Sequence, residues 1–153
     1  MKLYISSITN LADARFFSAY GVEFFGFCFD VLNPHATTID KAKEISSWLH
    51  EPKIIGQFGA HQPAEEIEFV HSQIPLHAVL SEINEPVSLP AWKTTSAGIQ
   101  SPEGLFLSAD WSRESLELDI QQKPYGIHIA CAPNSHVEYY AELMEILEPY
   151  LLQ

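Results

Sequence analysis

The sequence predicts an α/β fold, a reduced or incomplete (β/α) barrel of about seven mostly parallel strands. Three observations carry that expectation. Short apolar runs alternate with segments of helical period through the first 80 residues. One run, Phe24 to Phe29, is apolar nearly throughout, as in a strand covered on both faces. The second half keeps its apolar runs but loses most of its helical segments. A chain of 153 residues fits one domain, taken as 1–153, with enough length to bury a core.

Leu3 to Ile8 reads as the first strand, ending in small polar residues. Thr9-Asn10 caps a helix with Leu11, Ala14 and Phe17 on its inner face, and Gly21 stops it. Asp13 sits in the first turn, where a carboxylate suits the helix dipole. Phe24 to Phe29 is the second strand. A loop through Leu32-Asn33-Pro34-His35 leads to Thr38, which caps a helix carrying Ile39, Ala42, Ile45 and Leu49. Lys53 to Phe58 is the third strand. Pro63 is expected at the first helical position, ahead of Glu65 and Glu66, with Ile67 and Val70 facing inward. Leu76 to Leu80 is the fourth strand.

Between Glu82 and Trp92, Pro86 and Pro90 interrupt any helical period, so a loop is expected. Trp92 to Ala97 reads as strand five, Gly104 to Leu107 as strand six and Tyr125 to Ala130 as strand seven. Ser112 to Gln121 is a short helix with Leu116 and Ile120 four apart. The last helix begins at Pro133-Asn134-Ser135, carries Val137, Tyr140, Ala141, Met144 and Leu147 as its stripe, and is expected to end at Pro149. Seven strands fall one short of a closed TIM-type ring, which usually takes on the order of 200 residues or more. The ring is therefore expected either to stay open or to close with loops in place of helices. An open edge invites pairing, so a homodimer across the gap is a further expectation.

Charge excludes some functions. Eight Lys and Arg against twenty Asp and Glu give −12, a surface that repels phosphate backbones, so no nucleic-acid partner is expected. No run of about 18 apolar residues occurs, so no membrane partner is expected either. The opening Met1-Lys2-Leu3-Tyr4-Ile5 turns polar too soon for a signal peptide. Cys28 and Cys131 are far apart and form no metal-type spacing; Cys28, in its apolar run, reads as a buried free thiol. A reducing, cytoplasmic setting is the expectation.

In a barrel the strand C-terminal ends share one mouth. That places Ser6, Asp30, His61, Glu82, Asp110 and Cys131 together, with His35 on a loop nearby. Three acids there suit a cation or cationic ligand; the simpler reading is that loops are polar because they are wet. Seven histidines raise the question of a metal, with His35, His61 and His128 converging with Asp30 or Glu82 as the candidate set. No His-x₃-His pair supports one, and scattered surface histidines explain the count better. His128 and Cys131, three apart on one strand, face opposite sides and make no nucleophile–base pair unless the strand ends between them. No metal and no cofactor is expected. The aromatics between Phe16 and Phe29 read mostly as core, with Phe16, Tyr20 and Tyr139 as a candidate surface patch; Trp48, Trp92 and Trp111 read as packing residues.

Ile8-Thr9-Asn10-Leu11-Ala12-Asp13-Ala14, Gly21 and Gly26-Phe27-Cys28-Phe29 resemble the first β/α/β unit of phosphoribosylanthranilate isomerases. Asn33-Pro34-His35 falls where that family has Ser-Pro-Arg. Ile39 to Ile45, Gly56-Gln57-Phe58 and His77-Ala78-Val79-Leu80 resemble its second helix and its third and fourth strands. The likeness covers about half the chain and is thin beyond residue 82, where Lys123-Pro124-Tyr125 resembles the start of strand seven. It implies an Amadori rearrangement in tryptophan biosynthesis, run by a Cys as general base and an Asp as general acid, without metal or cofactor.

The departures fall on the chemistry. Ser6 stands at the family's Cys, Ser7 at the following Gly, Tyr4 at the Lys before it and His35 at the substrate-binding Arg. The family's Asp falls on Ser108, with Asp110 two residues on as a stand-in. A lone hydroxyl is too weak a base at neutral pH. Ala130-Cys131-Ala132-Pro133 replaces a Gly-Gly phosphate cradle, and Pro133 donates no amide hydrogen. The expectation is an isomerase-like barrel without the isomerase chemistry, acting as a binding module for a sugar phosphate, another small molecule or a protein. The alternative is a working or weak isomerase using Ser6 and Asp110.

Overall fold

Three segments of the chain that carry no helix decide how the ring closes. In the computed structural model, which describes residues 1–132 and 137–151, the strands are β1 (Lys2–Ser6), β2 (Phe24–Cys28), β3 (Lys53–Gln57), β4 (Ala78–Leu80), β5 (Ala91–Thr94), β6 (Gly98–Gln100), β7 (Leu105–Ser108) and β8 (Gly126–Ala130). They hydrogen-bond in chain order into a closed barrel, β8 returning to β1 through five register pairs from Lys2↔Gly126 to Ser6↔Ala130. Among the described residues five helices pack outside: α1 (Leu11–Ala19), α2 (Ile39–Ser47), α3 (Ala64–Gln73), α4 (Arg113–Gln121) and α5 (Val137–Leu151). The connections β4–β5, β5–β6 and β6–β7 carry none.

The reduced barrel is thus present, and its ring is complete, with eight strands where seven were expected. The expected strand five, Trp92 to Ala97, ends early at Thr94, and after a turn an unexpected strand, β6, runs antiparallel to both β5 and β7. Side-chain hydroxyls make the two turns. Thr95 Oγ1 accepts from the amides of Ala97 and Gly98, at 3.3 and 3.1 Å. Ser101 Oγ accepts from the Gly104 amide at 3.1 Å and donates to its carbonyl at 2.8 Å. Two hairpins span the arc that β/α units would otherwise span, using far fewer residues. Closure leaves no sheet edge, which removes the reason for expecting a homodimer across a gap.

Strand alternation sorts the core into two layers. Leu3, Ile5, Phe25, Phe27, Ile54, Ile127 and Ile129 point outward and meet Ala14, Phe17, Ile45, Ile67, Leu116, Tyr140 and Met144 beneath the helices. Tyr4, Phe24, Ile55, Ala78, Leu80, Trp92, Ile99 and Phe106 fill the barrel. Inside, Trp92 stacks on Phe106 at 5.2 Å between ring centroids, and Phe24 meets both rings edge-on at 5.3 and 5.6 Å. Tyr4 closes the group, edge-on to Trp92 at 5.5 Å.

The helix starts follow the sequence closely. Asn10, Thr38 and Ser112 each accept from the amide three residues on. Pro63 is one residue earlier than expected, at the N-cap of α3, where its missing amide hydrogen still costs nothing. Pro149 was expected to end α5 but lies inside its last turn, where it removes only one helical hydrogen bond. The expected start of that helix, Pro133-Asn134-Ser135, lies outside the described residues, as does the Val137 side chain. Phe16 and Tyr20 pack on the core, while Tyr139 and Trp48 are exposed.

Gly98 allows the β6–β7 pairing. A Cβ there would fall on the Phe106 carbonyl oxygen and lie 2.8 Å from the Ser108 amide nitrogen, both backbone atoms that cannot step aside. Gly98→Ala is expected to lower stability by about 3 kcal/mol in urea unfolding. An unchanged midpoint would mean that the hairpin does not hold the ring shut.

Candidate functional site

Ser6 is the last residue of β1, Ser108 the last of β7, and His128 lies between their strands on β8, in register with both Tyr4 and Ser108. On β8 the outward positions are Ile127 and Ile129, so His128 faces into the barrel. Its ring bridges the two serines. Ser6 Oγ is 2.8 Å from Nε2, and Ser108 Oγ is 3.0 Å from Nδ1. The Tyr4 ring stacks on the imidazole at 4.9 Å and 29°. Burial alone pushes the His128 pKa down to about 4, so the ring is neutral at pH 7. A neutral imidazole has one N–H and one lone pair. The chain Ser6–His128–Ser108 therefore has a direction: one serine donates to the ring and the ring donates to the other.

Ser6 is 4% exposed, whereas Ser108 is open to solvent. Both main-chain neighbours hold Ser6 in place. Its carbonyl accepts from the Cys131 amide at 2.9 Å, and β2 comes so close that a Cβ on Gly26 would lie 2.9 Å from Ser6 Cα. Ser7, where the resembled family has glycine, takes φ +59°, a left-handed conformation that glycine adopts at lower cost.

A second pair forms beside the mouth. His61 Nε2 lies 3.5 Å from Asp30 Oδ1, which also accepts from the Leu32 amide at 3.0 Å. Gln62, 2% exposed, fixes this turn: its Oε1 accepts from the Gly59 amide, and its Nε2 donates to the Phe29 carbonyl and to Glu66. His35 is part-buried on the β2–α2 loop, where its amide donates to Asn33 Oδ1. Glu82 is exposed on the β4–β5 connection.

The remaining two candidates are Asp110 and Cys131. Asp110 is exposed; its amide donates to Ser115 Oγ, and its charge, after burial, helps raise the Asp119 carboxyl on α4. Cys131 packs in the helix-side layer. Burial pushes its thiol far up, with Asp13 adding to the rise and Tyr140 opposing it. β8 ends at Ala130, between His128 and Cys131, and the two still form no pair: His128 faces into the barrel while Cys131 packs in the helix-side layer. Among the described residues no three His, Cys, Asp or Glu side chains group to hold a metal ion.

Phosphate finds little here. The Cys131 amide is bonded to the Ser6 carbonyl and the Ala132 amide to the Tyr140 hydroxyl at 3.2 Å. Pro133, the expected gap in the cradle, lies outside the described residues. Lys2 and Lys53 both pair with Glu23 at the far end of the barrel, at 2.8 and 2.9 Å. Lys93 donates to the Ser81 and Ile83 carbonyls, and Arg113 meets Glu117 and Glu142. Arg15 lies over Trp48, and Lys41 and Lys43 are on the exposed side of α2. Lys123 follows the C-terminal end of α4, away from the mouth.

In the sequence His128 enters only a disfavoured metal set with His35 and His61 and a rejected pair with Cys131. The signal that could have found it is a single polar residue between two inward-excluded isoleucines, facing the barrel. Its partners become visible only once β8 is joined to β1.

The neutral state of His128 sets a pH dependence. Unfolded, the imidazole takes a proton near 6.5; folded, only near 4. The unfolded chain binds more protons between these values, so stability is full above pH 6.5 and falls as pH drops towards 4. The loss from this group is about 3 kcal/mol. His128→Gln is expected to show a correspondingly shallower fall across that window in denaturant titrations, and equal falls would contradict the assignment.

No family model matches the chain, and no curated protein matches it. Solved structures do. Phosphoribosyl anthranilate isomerase from Thermus thermophilus superposes with a TM-score of 0.79 at 20% identity, covering 98% of this chain and 100% of that one. A phosphoribosyl anthranilate isomerase in complex with reduced 1-(o-carboxyphenylamino)-1-deoxyribulose 5-phosphate gives 0.70 at 16%, covering 95% and 98%. N-(5′-phosphoribosyl)anthranilate isomerase from Pyrococcus furiosus gives 0.67 at 12%, covering 95% and 99%. The resemblance seen in the first half of the sequence thus extends, as fold, over nearly the whole chain, which has the TIM-type barrel of the phosphoribosylanthranilate isomerases.

Proposed function

We propose that this chain is a phosphoribosylanthranilate isomerase-like barrel that has lost the isomerase reaction and works as a binding module for a small molecule at the mouth. One observation carries the reading. The positions where the resembled family keeps an ionisable thiol and a carboxyl hold Ser6 and Ser108, tied together by a neutral His128. The pair that moves protons in the family is replaced by an uncharged hydrogen-bonded chain. The engaged amides of Cys131 and Ala132 support the same reading, because a phosphorylated substrate lacks those backbone anchors. Asp30, His61, Glu82 and His35 supply the polar rim of such a mouth. The charge of −12 and the two buried thiols fit a protein of a reducing cytoplasm without a nucleic-acid partner, and no described helix is long and apolar enough to cross a membrane.

The alternative is a weak isomerase in tryptophan biosynthesis, and the Ser6–His128 contact favours it, since it places a base beside the hydroxyl. Turnover of N-(5′-phosphoribosyl)anthranilate separates the two. The binding-module reading expects none above buffer; turnover that disappears in Ser6→Ala establishes the isomerase instead. A thermal-shift series with neutral polyols and sugar phosphates then tests binding, and a flat series with every compound would sink the module reading.

A further inference from the structure

We propose that Ser6 is an activated nucleophile, and that the mouth forms and hydrolyses an acyl-serine from small carboxylic esters. The geometry that carries this is the Ser6–His128–Ser108 chain together with the way Ser6 is held. A nucleophilic serine needs a base within hydrogen-bond reach and a third group that orients the base. His128 Nε2 is 2.8 Å from Ser6 Oγ, and Ser108 Oγ, at 3.0 Å from Nδ1, fixes the opposite edge of the ring. Tyr4 stacks on the imidazole face and prevents it from swinging away.

Ser6 itself has no freedom to drift. The Cys131 amide holds its carbonyl, Gly26 brings β2 against its Cα, and the chain turns left-handed at Ser7 directly afterwards. The hydroxyl is thus presented at a strand end that stops abruptly, inside the mouth. The chain of groups also runs from the 4%-exposed Ser6 to the solvent-open Ser108, which gives the imidazole one buried and one wet partner. A purely structural histidine has no need of that asymmetry, since a barrel filled by Phe24, Trp92 and Phe106 is packed more cheaply by another apolar side chain.

The step balances with an ester and water alone. Ser6 Oγ bonds to the carbonyl carbon as its proton passes to His128 Nε2, and the bond to the leaving alkoxide breaks as that proton is returned to it. Water then attacks the acyl-serine through the same imidazole, releasing the acid and restoring Ser6.

This inference does not rest on the ligand reading above, because covalent transfer is read separately from reversible binding and from isomerisation. The test is p-nitrophenyl acetate with the full chain, following the p-nitrophenolate burst and mapping the acetyl group by peptide mass after acid quench. The expected result is a burst stoichiometric with protein and acetyl on Ser6. His128→Gln should slow the burst at least about 100-fold. Ser108→Ala should slow it less, with recovery in Ser108→Thr. Mapping on the wild-type protein decides the matter even where a variant fails to fold. Acetyl found on lysines but not on Ser6, or a burst unchanged in folded His128→Gln, overturns the proposal.

Discussion

The structure depends on four aromatic rings packed inside a barrel with three helices fewer than strand alternation with helices would supply. Tyr4, Phe24, Trp92 and Phe106 come from β1, β2, β5 and β7, so one cluster ties the regular half of the ring to the hairpin half. Large rings need backbone room, and glycines provide it. A Cβ on Gly126 would strike the Phe106 ring at 2.5 Å, and one on Gly26 would strike Tyr4 Oη at 2.7 Å. Rings of this size bury about 150–250 Å² each, so a few of them do the filling that layers of branched aliphatics do in longer barrels. Closure by β5, β6 and β7 follows from this, because the hairpins need only curve around a core already filled.

Tyr4 also joins that core to the mouth. It meets Trp92 on one side and stacks on His128 on the other. Three departures from the family pattern, at Tyr4, Ser6 and Ser108, look independent along the chain and converge on one imidazole in space. Tyr4 supplies the stacking face, Ser6 and Ser108 the two hydrogen bonds. Together they form an uncharged cluster in which the imidazole bonds both serine hydroxyls, while the buried Tyr4 hydroxyl has no hydrogen-bond partner among the described residues.

The legible part of the fold was the local part. Asn10, Thr38 and Ser112 cap their helices through contacts three residues long, and the run Phe24 to Phe29 needs no partner to be recognised as a buried strand. β6 was missed because Gly98-Ile99-Gln100 is too short to show alternation, and because the hydroxyls of Thr95 and Ser101, not Asn-Gly or Gly-Gly pairs, make its turns. In the site, Ser6 and Ser108 were visible through the resemblance, and Asp30 with His61 through their strand ends. His128 was not, since its partners lie 122 and 20 residues away and meet it only through the β1–β8 and β7–β8 registers. Cys131 sits close to a strand end in sequence, yet its thiol packs in the helix-side core.

The central claim is that a neutral imidazole links Ser6 to Ser108 inside the barrel mouth. Long-range ¹H–¹⁵N spectra of the His128 ring between pH 7 and 5 test it most directly. The account predicts one protonated and one unprotonated ring nitrogen, unchanged across that range, with a shift pattern altered by Ser6→Ala. A ring that becomes imidazolium with a midpoint near 6.5, or one indifferent to the loss of the Ser6 hydroxyl, would contradict it.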